Sequence, residues 1–249
     1  DTTNPLPSFS GSTINKGLFF RNRLAFLSGE NVICSRPGSV INPNFFTETA
    51  LKVSNNDPVD ISSSSVFPSD LYDGIEVAAG LLCFSTNQQF LLAADETVFT
   101  PDSAKLRSVF TYNYSKEIPP LSFGTSVSWV DNSGKFSRLL EAQGITRERE
   151  PLIVETSKIV PSLMPNNIDL VTNSRENGLA LFGKTGTDLV YGFKYVPNVS
   201  GRLQSTWFKW KLNRPLKYHF IVNDVYYYLD TDNFLQQINL IQDDSDKSI

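Results

Sequence analysis

Short apolar runs rich in β-branched and aromatic residues recur along the chain, each bounded by Gly, Asn, Asp or Ser, and they fall into pairs. This is the pattern of antiparallel hairpins. The first pair is Arg23-Leu24-Ala25-Phe26-Leu27 and Asn31-Val32-Ile33-Cys34-Ser35, parted by Ser28-Gly29-Glu30. The second is Leu81-Leu82-Cys83-Phe84 and Gln89-Phe90-Leu91-Leu92. Ser126 to Val130 and Lys135 to Leu139 make a third, joined through Asp131-Asn132-Ser133-Gly134. Leu179 to Phe182 and Asp188 to Tyr191 make a fourth, with Gly183 to Thr187 between. The fifth is Tyr218 to Val222 and Val225 to Leu229, turned at Asn223-Asp224, residue types that tolerate the positive φ of a tight hairpin.

These hairpins begin near residues 24, 81, 126, 179 and 218, at intervals of 57, 45, 53 and 39 residues. Propeller blades recur at about 40–50 residues. The pattern therefore predicts an all-β chain forming one irregular β-propeller region over residues 1–249, complete or partial. A β-sandwich with similar strand spacing is the competing architecture. Helix signals are few: Ser157 to Leu163 suits one short turn, and Thr100-Pro101-Asp102-Ser103 could cap another. The Ser-rich stretch from Ile61 to Ser65 reads as a polar loop or strand edge, and the acidic tail from Gln242 to Ser248 as an exposed end.

Composition narrows the classes. With 22 Lys+Arg against 26 Asp+Glu the net charge is −4, which argues against a surface that coats nucleic acid. An apolar fraction of 40% supplies a core, and no apolar run approaches the ~18 residues of a membrane span. The opening Asp-Thr-Thr-Asn-Pro-Leu-Pro has neither Met nor a signal-peptide pattern, so the chain is read as an excerpt of a longer protein. Cys34 and Cys83 have no metal-site spacing and sit in strand-like runs, which suits buried free thiols. The single histidine, His219, lies between Tyr218 and Phe220 and reads as a packed residue.

Several constellations could carry chemistry. Gly178 to Thr185 fits the phosphate-loop pattern GxxxxGK[ST] letter for letter. The pattern needs a flexible loop between strand and helix, but Leu179 to Phe182 reads as strand and β-type residues follow, so a hairpin turn is the expectation. Asp57 and Asp60, or Asp230 and Asp232, pair carboxylates as a glycosidase or calcium site would. Turns capped by their own Asp side chains give the same pattern. No GxSxG is present, and sequons occur at Asn113 and Asn198. The 18 Phe, 9 Tyr and 3 Trp include Trp207-Phe208-Lys209-Trp210, where alternation puts Trp207 and Trp210 on opposite faces, as core or interface anchors or as a sugar platform. No cofactor, metal or catalytic set is expected.

The segment Arg21 to Asn31, with Ser35-Arg36-Pro37-Gly38 after it, resembles the tail tubular protein B, or tail nozzle, family of short-tailed phages. Asp57-Pro58-Val59-Asp60, Leu81 to Ser85 with Gln89-Phe90, Thr100-Pro101 and Gln204-Ser205-Thr206-Trp207-Phe208-Lys209-Trp210 fit the same family in order, although Ser39 stands where its pattern has an acidic residue. The resemblance implies a virion protein that is not an enzyme, built on a β-propeller. It also implies a six-fold homo-oligomeric ring meeting adaptor and tail fibre proteins, possible contact with the host cell surface, and a channel that passes viral DNA without holding it. Packing or interface candidates are Arg21, Arg23 (with Glu30 as its partner), Trp207 and Trp210. A carbohydrate- or receptor-binding propeller is the alternative, and an enzyme using Asp57 or Asp60 a third reading.

Overall fold

The computed structural model describes residues 4–38, 41–47, 52–65, 67–94, 98–147, 149–198 and 201–240. The acidic tail lies outside them, as do Ser39 and the last two residues of the Asn198 sequon. Among the described residues the chain makes five sheets whose strand order follows the sequence. The first holds β1 (Lys16–Phe20), β2 (Arg23–Ser28), β3 (Asn31–Cys34) and β4 (Val59–Ser62). The second holds β5 (Leu71–Val77), β6 (Gly80–Ser85), β7 (Gln89–Ala94) and β8 (Ala104–Phe110). The third holds β9 (Leu121–Ser122), β10 (Val127–Asp131), β11 (Arg138–Gln143) and β12 (Leu152–Glu155). In the fourth are β13 (Leu170–Ser174), β14 (Leu179–Gly183), β15 (Leu189–Asn198) and β16 (Gly201–Lys211), and in the fifth β17 (Leu216–Val222), β18 (Val225–Asp230) and β19 (Leu235–Asn239). Sheets completed one after another along the chain are the organisation of propeller blades. A sandwich instead returns its strands between two sheets.

Each expected hairpin is present, as β2–β3, β6–β7, β10–β11, β14–β15 and β17–β18. Asn223 and Asp224 have φ of 48° and 62°, the positive pair a two-residue hairpin turn needs. In the third hairpin the second strand begins at Arg138 rather than Lys135, because Phe136 leaves the ladder for a single bridge to Pro165. Among the described residues the one helix is a 3-10 turn, Thr156–Ile159. No helix follows Thr100: the Thr100 and Ser103 hydroxyls hydrogen-bond each other and each other's N–H, closing a turn that feeds the alternating strand β8.

The chain divides into two compact units. One comprises Asp1–Lys116 and Ala142–Ile153, the other Glu117–Glu141 and Val154–Ile249. Within the first, Ala25, Leu27, Val32 and Cys34 of the first sheet pack against Leu81, Cys83, Phe90 and Leu92 of the second. Within the second, Val130 and Leu139 pack against Ala180, Phe182, Tyr191 and Phe193. The opposite face of the fourth sheet, through Leu179, Leu181 and Val190, meets Leu216, Tyr226 and Tyr228 of the fifth. Alternation along β14 thus serves two cores from one strand.

Gly178 enters β14 at φ +55°, and a Cβ there would lie 2.1 Å from the Tyr195 carbonyl oxygen. Gly80, the first residue of β6, has φ +154°, and a Cβ there would lie 2.2 Å from the Leu92 oxygen. Each glycine lets the second strand of its sheet begin close against the third. Gly178→Ala should therefore destabilise the protein by about 1–3 kcal/mol, since backbone has to move. A urea midpoint equal to that of the parent would refute this.

Candidate functional site

Three of the quoted segments meet at Arg23. It opens β2 after a turn in which Arg21 and Asn22 take φ of 49° and 59°. The residue is 3% exposed, and its guanidinium donates to the carbonyls of Ser35 (2.8 Å), Asp57 (2.6 Å) and Asn55 (3.1 Å). Phe99, next to Thr100-Pro101, lies beneath it with its ring centre at 5.8 Å. Burial pushes its pKa below the ordinary value, opposed by the fields of Cys34 and Asp57. Asp57 in turn fixes its own loop by accepting the Ser54 N–H at 2.7 Å. Arg23 is thus a clip joining the first hairpin to the loop before β4, with the planar multi-donor geometry that lysine lacks.

The expected pairing of Arg23 with Glu30 does not occur. The two sit at opposite ends of β2, so at ~3.3 Å per residue they are roughly 20 Å apart. Glu30 instead accepts the Ser69 N–H at 2.8 Å and holds the approach to β5. Arg21 stays exposed on its turn, with its guanidinium 5.8 Å from the Phe20 ring centre.

Trp207 and Trp210 project from opposite faces of β16, as alternation requires. Trp207 packs 4.8 Å from Phe193 and donates its Nε1–H to the Thr156 carbonyl. Trp210 packs against Phe208 (5.1 Å) and Tyr226 (5.9 Å). Both rings are half-buried in these packing contacts. A polar cavity of about 540 Å³ in the same unit is lined by Asn173, Ser174, Arg175, Glu176, Asn223 and Asp224, with no aromatic face to stack on a sugar.

The phosphate-loop letters form the β14–β15 turn. The Thr185 N–H donates to Asp169 and the Lys184 ammonium to the Asn166 carbonyl, so the groups that would hold phosphate have partners in the protein. Asp60 accepts the Ser8 N–H, whereas Asp57 serves the Ser54 loop. Asp230 Oδ1 accepts the N–H groups of Asp232 and Phe234, and Arg214 pairs with both Asp230 and Asp232. Asp57 and Asp230 thus cap turns, and Asp60 ties β4 to the chain at Ser8.

Cys34 and Cys83 are free and buried, and burial pushes the Cys34 thiol up to about 12 and Cys83 higher still. His219 is 1% exposed, with Nδ1 3.1 Å from the Tyr226 hydroxyl, and burial pushes its pKa down to about 4.

A family model described as "Bacteriophage nozzle protein" matches residues 1–248. The chain belongs to the bacteriophage nozzle protein family. Its members are structural proteins of the phage tail, not enzymes, and this places the chain in the virion tail. Tail tubular protein gp12 of Escherichia phage T7 is 28% identical over 246 residues, covering 95% of this chain and 30% of that protein. The chain therefore spans less than a third of that relative's length. Among solved structures, Hsv2 of Kluyveromyces lactis matches with TM-score 0.53 at 8% identity, over 91% of this chain and 60% of that one. This likeness shows the fold, a β-propeller. BamB of Moraxella catarrhalis matches at TM-score 0.44 and 12% identity, over 90% of this chain and 69% of its own.

Arg23→Ala should cost about 2–4 kcal/mol by leaving buried carbonyls unpaired, and Arg23→Lys should recover little of it. Combining Arg23→Ala with Glu30→Ala should give additive losses in denaturant unfolding; a coupling above ~0.5 kcal/mol would restore the pairing. The His219 value sets a pH window. The unfolded chain takes up a proton near pH 6.5 that the native form refuses until about pH 4. The stability this group contributes is whole above the unfolded value and is lost as pH falls through the window, by up to about 3 kcal/mol. His219→Phe should flatten that slope in urea midpoints measured from pH 7 to 4; parallel curves would refute it.

Proposed function

We propose that this chain forms part of the wall of the tail channel through which a phage genome leaves. It would act as one copy in a homo-oligomeric ring, six-fold by the family resemblance, that meets adaptor and tail fibre proteins. The observation that carries this reading is the nozzle-family match across residues 1–248. The physical chemistry supports it. Phosphate affinity grows with basic contacts, and a net charge of −4 gives DNA little to hold. Sheets that satisfy their hydrogen bonds internally make a stiff wall.

Of the candidate residues, Arg21 is the one we assign to contact with a neighbouring subunit, because it is exposed on the β1–β2 turn. Arg23, Trp207 and Trp210 hold the wall together from inside, and Glu30 fixes the approach to β5. Electron microscopy of the full-length parent protein, alone and in phage tails, tests the reading. The expected result is a six-fold ring around an axial channel with this region in its wall. Single copies absent from tails would overturn it and favour a receptor-binding module.

A further inference from the structure

We propose that the outward edge of β19 is paired with an extended segment of the same polypeptide from outside the described residues, which completes the fifth sheet as its fourth strand. Among the described residues the first four sheets have four strands each and the fifth has three. In the complete sheets the third strand is interior: β3, β7 and β11 are almost wholly buried. In the fifth sheet β19 holds that third place, yet all of its residues but one are exposed. Apolar side chains are concentrated there, with Phe234 59%, Leu235 58% and Ile238 37% exposed.

The register identifies the groups concerned. Asp230 N–H donates to the Phe234 carbonyl at one end of the β18–β19 ladder, and Leu240 N–H to the Asp224 carbonyl at the other. Antiparallel alternation between them turns the N–H and C=O of Gln236 and Ile238 toward β18, and those of Leu235 and Gln237 outward. An apolar edge with free backbone groups is a template for another strand. Two observations favour a segment of the same polypeptide. The neighbouring strands of every sheet are consecutive pieces of one chain. The T7 relative carries most of its length outside the matched region, so the family has chain to supply. The inference does not depend on the ring.

Hydrogen exchange on the full-length parent protein tests it, at a concentration where sizing gives one chain per particle. The Leu235 and Gln237 amides should exchange at least ~100-fold more slowly than in a free peptide, alongside Gln236 and Ile238. Free exchange at Leu235 and Gln237, with Gln236 and Ile238 protected, would overturn the proposal. Protection that appears only on self-association would also overturn it, by making a second copy the occupant. Proline scanning in the same full-length protein is the second readout. Gln237→Pro should lower the unfolding temperature as much as Gln236→Pro; a harmless Gln237→Pro would mean an open edge.

Discussion

Burial of both faces of the inner strands is the constraint on which the rest of the structure depends. Every residue of β6, β10 and β14 is buried. A strand enclosed on both sides needs apolar cover against each face, so such a sheet cannot be stable alone. In β14 the consequence is explicit: Ala180 and Phe182 enter one core, Leu179 and Leu181 the other. β2 and β18 instead alternate buried and half-buried positions. The difference lies in how many faces are covered, not in the residues' intrinsic preference for strand.

The same constraint decides what could be read in the sequence. Strands buried on both faces appear as continuous apolar runs, such as Leu81-Leu82-Cys83-Phe84, so the central hairpins stood out and their intervals pointed to blades. Flanking strands carry mixed signals. β4 is Val-Asp-Ile-Ser and β13 is Leu-Val-Thr-Asn-Ser, each mixing polar and apolar residues while pairing along its whole length. β9 has two residues, too few for any period to register. In the Thr100 turn, hydroxyl pairing gave a capping signal with no helix to cap.

The Arg23 clip was half legible. The residue stood out, but its partners are main-chain carbonyls, which have no residue letter. Among side chains the nearest carboxylate after it in sequence is Glu30, which sits at the other end of the strand. The clip also ties together segments far apart in the chain: the loop at Asn55 to Asp57, Ser35 and Phe99 all meet one guanidinium. Similarly, the phosphate-loop letters need only a positive-φ glycine before a strand and a lysine in the turn after it.

The two thiols bear on a different question, that of chemical endurance. A virion outside its host meets dissolved oxygen and no enzyme that could repair it. Oxidation and disulfide exchange both begin with an accessible thiolate. Cys34 and Cys83 offer neither the charge nor the access, since burial keeps them protonated and dry within the first core. While that core stays closed, it serves as an antioxidant barrier, protecting by exclusion what no reductase in the surrounding water could restore.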